Sequence, residues 1–172
     1  MRVKKTQSVV RLAVGVAALL FSADAMAATQ SVTANLAFDT PLTLTKNNDI
    51  NFGTVIASTA STYTITTAGT VSATGSGQWL YGSKAAGSIT LAGSTTQTVN
   101  ISVGGYTPQG GVTPSNAQCA YNGGGAGSCT ISAAAAPGAG KTLLIGVDAA
   151  VDGTQAAGST AAPSFTVTVV YS

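Results

Sequence analysis

Residues 165–171 place Phe165, Val167, Val169 and Tyr171 on one face of an extended chain, with Thr166 and Thr168 on the other. A two-residue period of aromatic and β-branched residues, entered just after Pro163, specifies a strand. A terminal strand this apolar has to pair, because an exposed hydrophobic edge is a template for aggregation. A second alternation, Val32, Ala34, Leu36 and Phe38, lies near the other end. Between the two, the period recurs at Tyr63 and Ile65, at Ile89 and Leu91, at Val99 to Val103, and at Leu143 to Val151. Gly-rich turns separate these runs, and Asp152-Gly153 is a hairpin signal. Lys46-Asn47-Asn48-Asp49 is expected to turn, and a Gly/Pro-rich loop is expected from Gly104 to Pro114. No segment carries a capped helical stripe; Ala133 to Ala136 is stopped by Pro137. Many short strands with such turns predict an all-β sandwich.

The first 27 residues read as a targeting segment rather than part of that sandwich. Arg2, Lys4, Lys5 and Arg11 form a basic start, Leu12 to Phe21 a short apolar run, and Ala25-Met26-Ala27 a small-x-small cleavage site. The run is short for a membrane anchor, and no later stretch resembles a span. The expected organisation is a signal peptide over 1–27, an N-terminal strand over 28–40 and a sandwich domain over 41–172. The protein is expected to be secreted, passing the periplasm on its way to the cell surface or medium.

Cleavage changes the charge. Lys46, Lys84 and Lys141 then face Asp39, Asp49, Asp148 and Asp152, so the mature chain is nearly neutral. A basic patch for nucleic acid or anionic lipid is absent, and those partners are excluded. Disordered chains are usually rich in charge, which this one is not. Cys119 and Cys129 lie in the exported part, around a Gly-rich loop, so a disulfide is the default expectation. Their spacing is not that of a Cys-x-x-Cys redox pair.

The residues for catalysis are scarce. The chain has no His, which removes any His-based triad, and no enzyme or cofactor is expected. Gly138-Ala139-Gly140-Lys141-Thr142 resembles the end of a phosphate loop, but position 135 is Ala and no strand leads into it. Asn47, Asn48, Asp49, Asp148 and Asp152 would make a calcium site only if their loops met; solvated turn residues are the simpler reading. Trp79, Tyr81 and Tyr106 are candidates for a glycan-binding face, against the plainer reading of core or rim. An outer-membrane barrel needs longer strands and aromatic girdles than these.

Pro41-Leu42-Thr43-Leu44-Thr45, then Ile50-Asn51-Phe52-Gly53-Thr54-Val55, resembles a family of small exported β proteins of Gram-negative bacteria known as a domain of unknown function. The Gly-rich middle and the Phe165–Tyr171 ending fit the same family. More distantly the chain resembles chaperone–usher pilins of the archaic, spore-coat-protein-U-like branch. Those subunits have a Phe-Gly motif near the first strand and a penultimate aromatic, here Tyr171, with Gly158 near the glycine that pilins often carry before their last strand. Pilins usually bridge an early strand, whereas Cys119 and Cys129 are late. The resemblance implies an immunoglobulin-like, pilin-like sandwich that lacks one strand. It also implies a structural filament subunit, with Val32, Ala34, Leu36 and Phe38 as donor strand and Phe165, Val167, Val169 and Tyr171 as the pairing strand; closure of its own domain by the same N-terminal strand is the competing reading. Identical or related subunits, a periplasmic chaperone and an outer-membrane usher are the partners it implies. The alternative is a monomeric exported sandwich that binds a glycan or other surface polymer.

Overall fold

The computed structural model describes residues 30–172; the expected signal peptide over 1–27 lies outside them. The chain divides into a unit up to Leu36 and a compact unit Ala37–Ser172. Residues 30–42 carry no strand or helix.

The compact unit is all-β, as its alternations predict. Its strands are β1 (Thr43–Asn48), β2 (Thr54–Val55), β3 (Ser61–Ile65), β4 (Val71–Ala73), β5 (Trp79–Tyr81) and β6 (Gly87–Ala92). They continue as β7 (Val99–Thr107), β8 (Val112–Tyr121), β9 (Gly127–Ser128), β10 (Ile131–Ala134), β11 (Lys141–Val151) and β12 (Ser164–Tyr171). The axis of the larger sheet is β11, the longest alternation in the sequence. One of its edges takes β6 along Lys141–Ile145 and then β3 along Val147–Val151. Its other edge takes β8. Beyond these lie β1 on β6, β4 on β3 and β9 on β8, all antiparallel. Gly146 sits where β6 gives way to β3. A Cβ there would meet the Ile65 carbonyl oxygen and stand 2.9 Å from the Thr67 nitrogen, so only glycine lets the two strands share that edge.

The smaller sheet has the order β10-β7-β12, and β2 and β5 form a separate ribbon. The two larger sheets pack as a sandwich. Leu91, Leu143, Ile145 and Cys119 from one face meet Val99, Ile101 and Ala134 from the other, all at most 9% exposed. Each such Leu, Ile or Val contributes about 1.5–3 kcal/mol by leaving water. The Cys119–Cys129 disulfide forms as expected, with Cα atoms 4.8 Å apart.

Three local expectations change. Asp152-Gly153 does turn, with Gly153 at φ +84°, but β11 and β12 are not a hairpin. They belong to different sheets, and residues 152–163 carry the chain across the sandwich. Strand β1 runs on through Lys46 to Asn48, where the turn was expected. A register shift between Lys46 and Asn48 absorbs those polar residues, and Asn47 Nδ2 donates to Thr90 Oγ1 at 2.9 Å. The stretch read as loop up to Pro114 holds the start of β8, in which Pro114 stands opposite Ala149. At that point β8 has β11 on one side only, because β9 pairs it at Gln118 and Cys119, so the missing N–H costs no ladder bond.

A candidate assembly groove

Two edge strands of the sandwich leave part of their inward faces uncovered. Strand β12 pairs only with β7, and β1 only with β6, among the described residues. Residues directly opposite in an antiparallel pair share a face. Val169 stands opposite Ile101 and Tyr171 opposite Val99, both fully buried residues of the core. Likewise Leu44 stands opposite Leu91. Yet Phe165, Val167, Val169 and Tyr171 are only half-buried, and Leu44 is 41% exposed. The β12 side chains pack against the margin of the core, yet part of each stays accessible.

Between these rims runs a trough. One part, of about 630 Å³, has Ile145, Val147 and Ala149 along its floor, with Ile50, Ile89, Phe165 and Val167 on its walls. A second part, of about 580 Å³, lies beyond the rims, lined by β2, β5 and residues 155–161 rather than by β1 or β12; it shares Phe52, Gly53, Ala149, Ala161 and Pro163 with the first and extends the floor to Val151. The floor residues 145, 147, 149 and 151 are the inward positions of one strand, so the trough is about 20 Å long. Its charged rim residues cancel locally: Lys46 Nζ lies 2.8 Å from Asp49 Oδ1.

Phe52-Gly53 stands at the junction of the two parts. The Asn51 side chain accepts from the Gly53 N–H at 2.8 Å, and Gly53 takes φ +74°. A Cβ at Gly53 would stand 2.7 Å from Trp79 Nε1 and 2.9 Å from the Tyr81 carbonyl oxygen. Both the turn and the packing therefore demand glycine. Lys84 Nζ sits over the Trp79 ring, 4.0 Å from its centre.

The backbone of β12 is also half-used. The Ser172 N–H donates to the Thr98 carbonyl at 3.0 Å. By the two-residue alternation of an antiparallel ladder, Val170 and Thr168 also point their N–H and C=O groups at β7. Those of Val167, Val169 and Tyr171 then face the open edge. Val167, whose side chain lines the trough, thus also offers it unpaired main-chain groups, and Val169 and Tyr171, which line neither part, continue the same open edge.

One end of β12 is tied to the root of the N-terminal arm. The Tyr171 hydroxyl donates to the Thr40 carbonyl at 2.8 Å and accepts from the Ser94 N–H at 2.8 Å. The Ser94 hydroxyl, fully buried, donates to Asp39 Oδ2 at 2.6 Å. Its oxygen accepts from the Thr96 and Gln97 N–H groups at 3.1 and 3.0 Å. Asp39 Oδ1 in turn accepts from the Thr40 N–H at 2.7 Å. These bonds, that from Ser94 foremost, hold the Asp39 carboxyl below its usual range. Gly93 makes the arrangement possible, since a Cβ there would overlap the Tyr171 hydroxyl oxygen.

The arm itself is apolar and uncovered. Val32, Leu36 and Phe38 are 90%, 76% and 88% exposed, and Ala34 is exposed too. None of the four belongs to a strand of this chain.

The other candidate groups do not converge. Asp49 is held by Lys46, Asp148 accepts from Thr64 Oγ1 at 2.6 Å and Asn116 Nδ2 at 3.0 Å, and Asp152 accepts from Thr154 and Gln155. Among the described residues no three His, Cys, Asp or Glu side chains gather. Trp79 and Tyr81 lie on β5, whereas Tyr106, on β7, packs against Phe165 with ring centres 5.9 Å apart. Sequence reasoning missed the ties of Asp39, Gly93 and Ser94. The only signal for them was the break at Thr40-Pro41.

The family model described as "Domain of unknown function (DUF4402)" matches residues 42–171, and the chain belongs to that family. No curated protein and no solved structure matches it.

Proposed function

With an apolar trough along an open strand edge as its premise, we propose that this chain is the structural subunit of a bacterial surface filament. Residues 32–38 of one subunit lie as a strand in the trough of the next. The observation that carries this reading is a match of period and length. Val32, Ala34, Leu36 and Phe38 span the same number of residues as the floor positions Ile145, Val147, Ala149 and Val151. Main-chain pairing to the free edge of β12 supplies affinity, and alternate side chains filling the trough supply register. The contact is head-to-tail, so it generates an open chain rather than a closed ring. Near-zero charge suits a surface covered by identical neighbours.

On this reading the protein is exported through the periplasm to the cell surface. The open edge of β12 needs cover in transit, which is the role of a periplasmic chaperone and an outer-membrane usher. It does no chemistry and needs no cofactor. The rival reading, a monomeric glycan binder, has less support, because its three aromatic candidates are divided between β5 and β7.

The experiment mixes the domain lacking its arm with a peptide of residues 28–38. The peptide is expected to raise the melting temperature and to exchange slowly, and a Leu36→Asp peptide to do neither. If neither peptide raises the melting temperature, or both raise it equally, the reading is wrong.

A further inference from the structure

We infer that the clasp formed by Asp39, Thr40, Ser94 and Tyr171 keeps the arm out of its own trough and so commits it to a second copy of the chain; this rests on the assembly reading above. The arm precedes β1, and β1 is one rim of the trough. To fill its own trough the arm has to double back beside β1, through a reversal at residues 39–42. That reversal is opposed in three ways, the first of which excludes only its tightest form.

The first block is covalent. Tight two-residue hairpins need positive φ at their first central residue or at both. Pro41 is fixed near −65°, and Thr40, as the residue before a proline, is held to extended conformations. The second block is the clasp. The Thr40 carbonyl is held by the Tyr171 hydroxyl at 2.8 Å, and the Thr40 N–H by its neighbour's carboxylate at 2.7 Å. Both main-chain groups of the residue that has to turn are already engaged. The third is its anchoring: Ser94 is fully buried and takes two further backbone N–H groups. The clasp therefore moves only with the loop that follows β6.

The arm root is consequently fixed at the Tyr171 end of β12, while Phe38, two residues away from Thr40, stays 88% exposed. The clasp is a positioning device: its residues line neither part of the trough.

The test uses the full mature chain as wild type, Tyr171→Phe, Asp39→Ala and both together. Thr98→Ala, which removes the neighbouring hydroxyl contact of Thr98 with Ser172 and spares the clasp, is the control. Light scattering reads the share of chains in multimers, and amide exchange reads protection of Leu36 and Phe38 in the monomer fraction. Wild type and Thr98→Ala are expected to form ladders, with unprotected arms in the remaining monomers. The double variant is expected to raise the monomer share several-fold, with the arm amides of those monomers protected. Asp39→Ala leaves the apolar core untouched but takes an acceptor from the buried Ser94 hydroxyl, so its melting curve is recorded beside the scattering to establish that the fold is intact. Ladders in wild-type proportion from both Asp39→Ala and the double variant, or protected arms in wild-type monomers, would overturn the inference. Binding of the arm peptide keeps the two failures apart. If the peptide binds and the clasp variants assemble like wild type, only the clasp inference falls. If it binds no arm-deleted domain, the assembly reading falls with it.

Discussion

Leu36→Ala separates a residue's role within its own chain from its role in a neighbour's. Within its own chain Leu36 is 76% exposed and outside every strand. A surface substitution of that kind changes folding stability by no more than about 0.5 kcal/mol. Seated in a trough floored by Ile145, Val147 and Ala149, the same side chain becomes core. Truncating a core Leu to Ala costs about 2–5 kcal/mol, part transfer and part cavity. At 1.4 kcal/mol per tenfold change, that weakens the contact between copies by about 30-fold to several thousand-fold. The assay pairs a melting curve of the variant domain with titration of the variant arm peptide into the arm-deleted domain. Asn35→Ala and Thr33→Ala are the internal controls, because their side chains point away from the trough if Leu36 points in. The melt should stay where it is, the Leu36→Ala peptide should bind far more weakly, and the two controls should bind nearly as wild type. Equal weakening by Leu36→Ala and Asn35→Ala would refute the alternation on which the argument stands.

Gly53→Ala should destabilise the domain by at least about 1–2 kcal/mol, the cost of a non-glycine residue in the left-handed region; denaturant titration gives the value, and an unchanged midpoint means the turn is not as described. Replacing Cys119 and Cys129 together by Ala should cost about 2–3 kcal/mol through loss of the short closed loop, again read by denaturant titration, with an unchanged midpoint counting against the bond. Asp39 and Asp152 both have carboxyls held below the ordinary carboxylate range, the first chiefly by Ser94 and the second chiefly by the Thr154 N–H. A depressed carboxyl adds stability that is present above its unfolded pKa and is lost as pH falls through its folded one. Both groups should therefore titrate below an ordinary aspartate by carbon NMR, and the clasp should persist through mildly acidic pH; a midpoint for Asp39 above that of an exposed, unbonded aspartate would break the account of its hydrogen bonds.

Strands that alternate strongly were legible in the sequence. Phe165 to Tyr171 is almost the whole of β12, and Leu143 to Val151 most of β11, because a half-buried pleated surface imposes its period directly on residue choice. Strand β8 was not legible. Its Thr113-Pro114-Ser115-Asn116 start has no such period, and it is a strand only because β11 offers an edge. The Asp152-Gly153 turn was legible as a turn, but not its destination, since the sheet that a strand joins is decided by partners far away in sequence. The same holds for the groove. Its apolar lining was visible as separate alternations, yet their incomplete burial depends on which edges remain unpaired. The clasp joins residues 131 positions apart, and no local pattern marks them.

The clasp also determines how the molecule carries load. A pull on the arm arrives at Thr40 and passes through the Tyr171 hydroxyl to the end of β12. From there it passes to the ladder that β12 forms with β7. The same pull passes through Pro41 into β1 and its ladder with β6. Tension is thus divided between the two sheets at the point where it enters.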